Sequence, residues 1–121
     1  MSTGSNKFVI QKHTRADDIH WDFMLESSDC LQTWRLEKSP AEIVNQSVAA
    51  TKIFDHPLKF LTYEGPVNKG KGRVQITDAG TYEILCEDKE NIELNLHGRI
   101  LKGKFTLTHI KKDKWRFSPK G

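Results

Sequence analysis

Nothing in this chain approaches the roughly 18–20 consecutive apolar residues that a membrane-spanning helix needs, and its mean hydropathy is −0.61. The opening MSTGSNKF has no apolar stretch after its basic residue, so a secretory signal is not expected. Cysteine is scarce. Cys30 and Cys86 are too few for a disulfide framework, and neither stands in a CxxC metal spacing. The expectation is two reduced, buried thiols in a cytoplasmic protein, with no base near either in sequence to make it a nucleophile. Neither sign of charge dominates: 19 Lys and Arg face 16 Asp and Glu, for a net charge of +3. Near-balanced charge, with 6 Phe, 3 Trp and 2 Tyr, argues against a disordered chain. No P-loop, dinucleotide-binding glycine fingerprint, internal repeat or low-complexity tract occurs. At 121 residues the chain suits a single domain with a real core. That domain is expected over 8–121, after a flexible tail at 1–7.

Helical periodicity is also rare, and most segments alternate with period two. Phe8–Lys12 is a short apolar strand. From His20 to Glu26, Trp21, Phe23 and Leu25 fall on one face and His20, Asp22, Met24 and Glu26 on the other. Leu31–Leu36 answers it after the polar Ser27-Ser28-Asp29. Further strands are expected at Thr51–Phe54, Val74–Thr77, Thr81–Leu85, Ile92–Leu96, Lys104–His109 and Trp115–Phe117, with Asp78-Ala79-Gly80 as a turn. One short helix, Ser39–Gln46, has Pro40 in its first turn. Gly65–Gly72, rich in glycine, is expected as a mobile loop. Many strands at spacings of about 8–12 residues point to an all-β fold, a barrel or sandwich.

The chemistry-bearing cluster is His13, His20 and Asp22, joined by His56. Residues i and i+2 of a strand project together, so His20 and Asp22 share a face opposite the apolar one. Two or three imidazoles and a carboxylate suit Mn²⁺, Zn²⁺ or a similar divalent ion. The competing reading is ordinary solvated or internally satisfied histidines, which is the reading given to His97 and His109. Two basic groups, Lys69/Lys71/Arg73 and Lys111/Lys112/Lys114/Arg116, suit phosphate contact or a plain solvated face. Arg15, Arg35, Lys38 and Lys52 lie near the histidine segments.

FVIQKH (Phe8–His13), HWDF (His20–Phe23), WRLEKSP (Trp34–Pro40), DHPL (Asp55–Leu58), YEGPVNKGKG (Tyr63–Gly72), GTYE (Gly80–Glu83) and LHGRILKGKFTL (Leu96–Leu107) occur in this order. Together they resemble the 3′-phosphoesterase domain of bacterial DNA ligase D. The resemblance implies a compact β-barrel with a short helix and loops outside. It implies a metal-dependent enzyme of non-homologous end joining that removes a 3′-terminal ribonucleoside, and then the 3′-phosphate, to leave a 3′-hydroxyl. His13, Asp22 and His56 match the metal ligands, with Mn²⁺ the expected ion and Zn²⁺ or Co²⁺ as substitutes. His20 matches the catalytic histidine and Lys38 a lysine of the family motif. The implied partners are DNA or RNA-tipped DNA 3′ ends, and a ligase, a repair polymerase and Ku acting in trans, with no membrane.

The family pattern is broken at three phosphate-binding positions. Met24 and Val48 stand where arginines are usual, and Phe60 where a tyrosine is common. Arg15, Arg35 and Lys52 are the nearby cations able to substitute, and an arginine restored at Met24 would be expected to raise turnover. A catalytically weak or inactive module that binds nucleic-acid ends or a repair protein is the alternative from another class. A phosphodiesterase acting on a smaller substrate is a third.

Overall fold

The computed structural model describes residues 6–120. Nine strands form one antiparallel sheet: β1 (Lys7–Arg15), β2 (Asp18–Ser27), β3 (Cys30–Leu36), β4 (Val48–His56), β5 (Gly65–Val67), β6 (Gly72–Glu87), β7 (Asn91–His97), β8 (Lys102–Lys111) and β9 (Lys114–Pro119). The order is β1-β2-β3-β4-β9-β8-β7-β6-β5, and β1 also pairs with β6. That pairing closes a barrel of eight strands and leaves β5 as an annex on β6. The expected all-β barrel is therefore what the chain forms. Of the expected tail, residues 1–5 lie outside the described residues, and Lys7 already pairs with Thr81. Among the described residues no helix is long and apolar enough to cross a membrane.

The barrel interior holds the main core. Phe23 meets Phe117 at a tilt with centroids 4.8 Å apart, Phe105 stacks against Phe117 at 5.3 Å, and Trp34, Leu94, Leu96 and Leu107 fill the space around them. Alternation along β2 places Phe23 and Leu25 in this core, with Trp21 packed partly against it. The opposite face of β2 is not solvated. A 3₁₀ turn at Leu58–Leu61 lies over it, and Val9, Met24 and Leu31 form a second apolar cluster against Leu58, Phe60 and Leu61. The buried Gln11 fastens this cover, its amide donating to the carbonyls of Phe60 (3.0 Å) and Tyr63 (2.7 Å).

Four expectations are corrected. Val74–Thr77 and Thr81–Leu85 are one strand, β6, which runs through Asp78-Ala79-Gly80. Those residues serve a buried joint instead of a turn. Asp78, with no exposed surface, accepts backbone N–H bonds from Ala79, Arg99, Ile100 and Leu101, at 2.9, 2.7, 3.1 and 2.8 Å. Gly80 lies so close to the His97 carbonyl that any Cβ would overlap it. The helix, α1, spans only Pro40–Ile43, because after Ile43 no side chain reaches the core until Val48. Ser39 caps it by donating its backbone N–H to Glu42 at 3.0 Å. The loop expected at Gly65–Gly72 contains β5. The cysteines are not buried: Cys30 is half-exposed and Cys86 exposed, and both are free.

Candidate metal centre

The site is assembled by register. A tight hairpin turn at Ala16–Asp17, with Ala16 at a left-handed φ of 33°, pairs Arg15 with Asp18. Counting back, His13 falls opposite His20 and Gln11 opposite Asp22. The two imidazoles meet edge to face at 4.8 Å. Asp22 is buried between them, with Oδ1 3.3 Å from His20 Nε2 and Oδ2 3.8 Å from His13 Nδ1. One ligating atom from each of His13, His20 and Asp22 lies within 4.8 Å of the others.

His56 arrives through a bulge. Thr33 of β3 pairs with Ile53, but Leu31 pairs with His56, one residue later than regular pairing would allow. His56 then lines a cavity of about 250 Å³ together with His13 and Asp22. Its tautomer follows from its neighbours. The Thr33 hydroxyl donates its proton to the Leu31 carbonyl at 3.0 Å, and the Phe54 carbonyl can only accept. Nδ1 of His56 therefore carries the hydrogen and donates to Thr33 Oγ1 (2.9 Å) and the Phe54 carbonyl (3.1 Å). The lone pair is left on Nε2, as a metal-binding imidazole requires.

Neighbouring charges separate the two facing histidines. Burial and the adjacent His20 lower the pKa of His13 against the pull of Asp22, which favours a neutral ring with a free lone pair. Burial also acts to lower that of His20, but the carboxylates of Asp22 and Asp18 outweigh it and raise the net value. Asp18 Oδ2 accepts from His20 Nδ1 at 3.0 Å, and that bond lowers the pKa of Asp18 itself. His20 thus lies between carboxylates at both nitrogens, which favours the imidazolium and suits a proton donor. Buried His13 Nε2 and Asp22 Oδ1 have no hydrogen-bond partner. The 3.3 Å approach of His20 to Asp22 Oδ1 is an ion-pair contact too misaligned to count as one. An imidazole nitrogen and a carboxylate oxygen, both buried and without a partner among the described residues, on two residues that line one cavity with His56 and its Nε2 lone pair, suit a divalent cation. Gly72 keeps that corner open, since a Cβ there would stand 3.0 Å from His13 Nε2.

The expected phosphate-binding cations do not converge. No lysine or arginine lines the cavity. Arg35 is held by Asp18 (3.0 Å) and Glu37 (2.9 Å). Lys52 bonds to the Ile53 carbonyl at 3.0 Å and lies over the Trp34 ring. Arg15 acts on His13 through its charge and packs near Gly72. Lys38 makes no hydrogen bond or ion pair among the described residues, and its charge acts on Glu42. Met24 lies fully buried in the second apolar cluster, and Val48 belongs to the main core opposite Phe117. Phe60 does line the cavity, meeting the His56 ring at 5.7 Å. Burial and Asp55 raise the pKa of the Cys30 thiol, away from the nucleophilic thiolate. Sequence reasoning missed Asp18, Thr33 and Phe54. Only Asp18 had a signal, as the acidic residue two before His20 on the same strand face.

A family model described as the DNA ligase D 3′-phosphoesterase domain matches residues 11–109. The multifunctional non-homologous end joining DNA repair protein LigD of Mycobacterium tuberculosis is 36% identical over 117 residues, covering 91% of this chain and 15% of that protein. The LigD protein of Mycolicibacterium smegmatis is 32% identical over 128 residues, 93% of this chain and 17% of that one. For the LigD of Pseudomonas aeruginosa the identity is 32% over 114 residues, 88% of this chain and 14% of that one. The chain thus spans about 15% of the length of the curated relatives it matches.

Proposed function

The chain belongs to the DNA ligase D 3′-phosphoesterase domain family, and from that premise we propose that it is a divalent-metal-dependent phosphoesterase that trims DNA 3′ ends in non-homologous end joining. Its products would be ends from which a terminal ribonucleoside and then a 3′-phosphate have been removed, leaving a 3′-hydroxyl for a ligase or polymerase. The observation that carries this reading is the set of lone-pair atoms around one cavity: His13 Nε2, the Asp22 carboxylate and His56 Nε2.

These three residues would hold the metal, with Mn²⁺ the ion implied by the family and Zn²⁺ or Co²⁺ as substitutes. When bound, a divalent ion supplies Lewis-acid polarisation of the phosphoryl group and acidifies a coordinated water. Hydrolysis forms a phosphorus–oxygen bond from water and breaks the one to the departing sugar oxygen, which must gain a proton. His20 holds that proton at Nε2, beside Asp22, while Asp18 fixes the ring from Nδ1. Gln11 and Phe60 of the 3₁₀ turn line the cavity, tied together by the hydrogen bond from the Gln11 amide to the Phe60 carbonyl. Arg15, whose charge acts on His13, and Arg35, whose charge acts on His20, are candidate cations for a phosphate oxygen, with Lys52 and Lys38.

The lack of lining lysine or arginine favours a second reading, in which the barrel binds nucleic-acid ends without cleaving them. A 5′-labelled primer-template with one 3′-terminal ribonucleotide decides between the two, run on a denaturing gel after incubation with Mn²⁺ beside a 3′-phosphate primer. The phosphoesterase shortens or dephosphorylates the primer, and His20→Ala does not. Intact primer with folded, metal-loaded wild type refutes the enzyme, and a mobility shift on the same ends then supports the binding module.

A further inference from the structure

The Phe54 side chain belongs to neither apolar cluster. At 75% exposure it is the most exposed large apolar side chain among the described residues, yet it lies on a strand at the rim of the cavity shared by His13, Asp22 and His56. Its ring lies flat on His56, with centroids 4.9 Å apart and planes 8° from parallel. One face is therefore covered, and the exposed surface is largely the other face. The other strongly exposed apolar side chains, Ile110, Ile19, Leu85 and Ile84, do not line this cavity.

We propose that the open face of Phe54 is a stacking platform for the nucleobase of the terminal nucleotide whose phosphate sits at the site. This rests on the reading of the cavity as a phosphoester site. A flat aromatic face continuing a His56–Phe54 stack suits a base, because every nucleobase has a π-face, and it ranks the four bases only weakly. It also supplies affinity that the cavity, without lysine or arginine, does not draw from its own lining charge. The platform binds and positions and takes no part in bond breaking.

The test compares wild type, Phe54→Ala and Phe54→Trp on two primers: one with an ordinary 3′-phosphorylated terminal nucleotide, one with an abasic terminal residue bearing the same phosphate. Phe54→Ala should raise KM on the ordinary primer roughly 5- to 150-fold, as loss of one base stack does, with kcat little changed. On the abasic primer it should match wild type, and Phe54→Trp should restore the ordinary KM. A binding arm is independent of turnover. Fluorescence of Phe54→Trp, less the wild-type background of Trp21, Trp34 and Trp115, should be quenched by the ordinary oligonucleotide and not by the abasic one. Equal KM for wild type and Phe54→Ala overturns the platform, as does loss of metal-induced stabilisation in Phe54→Ala, which would make the ring a brace for His56. Were wild type to cleave nothing, the phosphoesterase reading alone would fall, and the quenching would decide the platform.

Discussion

If His13, Asp22 and His56 are the ligands, metal must stabilise the folded chain by an amount that can be worked out. A ligand present at 100 times its Kd adds about 2.7 kcal/mol. For 121 residues the unfolding entropy is about 0.25 kcal/mol/K, at roughly 2.1 cal/mol/K per residue. Mn²⁺ at that ratio should therefore raise Tm by about 10 °C over the same protein in chelator. Removing one ligand and weakening the site 100-fold leaves metal near its new Kd, worth about 0.4 kcal/mol, or about 2 °C. Differential scanning fluorimetry on wild type, His13→Ala, Asp22→Asn, His56→Ala and His20→Ala, each with chelator and with Mn²⁺, reads this directly. The first three variants should lose most of the shift and His20→Ala should keep it, because its nitrogens are already engaged by Asp18 and Asp22. Equal shifts in wild type and the ligand variants would refute the site. A shift lost in His20→Ala but kept in His56→Ala would reassign the ligands to His13, His20 and Asp22, whose atoms already lie within 4.8 Å of one another.

Two further substitutions test the surroundings. Met24→Arg should lower stability by about 3 kcal/mol or more, since it drives a charge into the cluster of Val9, Leu31, Leu58, Phe60 and Leu61, whereas Met24→Leu should cost less than about 1.5 kcal/mol; an arginine variant that melts with wild type would show that the cluster opens easily. Asp78→Asn keeps one acceptor oxygen where Oδ1 takes three backbone N–H groups and Oδ2 takes one, and at about 1.5–3 kcal/mol for a bond to a charged group, losing the Oδ2 bond alone predicts a loss of about 1.5–3 kcal/mol in urea unfolding. A loss below about 1 kcal/mol would mean that the Gly98–Leu101 turn does not depend on Asp78.

The Met24 case shows where sequence reasoning stops. Alternation along β2 correctly separates Phe23 and Leu25 from His20 and Asp22, because a strand's side chains must point to opposite faces. Period two says nothing about what covers the second face. The 3₁₀ turn at Leu58–Leu61 covers it, held there by Gln11 of another strand, and a methionine that looked like a missing phosphate ligand is a core residue of that cover. The expected gain from restoring an arginine there is replaced by an expected loss. Asp78-Ala79-Gly80 misleads for a related reason. Asp and Gly are turn residues by local preference, but here Asp78 receives a distant turn and Gly80 admits the His97 carbonyl, and both are tertiary facts. The His13–His20–Asp22 grouping was legible because it depends only on strand period and a short hairpin. His56 needed a bulge that no alternation pattern announces, and its place came from the family resemblance.

Phosphate binding at this site can then be argued from its charges. Asp22 is a buried carboxylate, Arg35 is spent on Asp18 and Glu37, and no lysine or arginine lines the cavity. A phosphate dianion brought to such a wall meets the Asp22 carboxylate, offset only by the His20 imidazolium 3.3 Å from it, in a setting where screening is weak. With His20 as the imidazolium beside Asp22 the local sum is zero, and a divalent ion on neutral His13, Asp22 and His56 would raise it to +2, so ligation would create the positive field that a phosphate meets. Met24 and Val48, buried in the two apolar clusters, add no charge at this site, so the ion would supply nearly all of that field. Affinity for a 3′-phosphorylated end should accordingly depend on metal far more steeply than affinity for a 3′-hydroxyl end of the same sequence, whose base still finds Phe54. Anisotropy titrations of both ends, with chelator and with Mn²⁺, separate the two contributions. A phosphate preference that persists undiminished in chelator would mean that Arg15 or another cation reaches the cavity, and that the field at this site is positive without the ion.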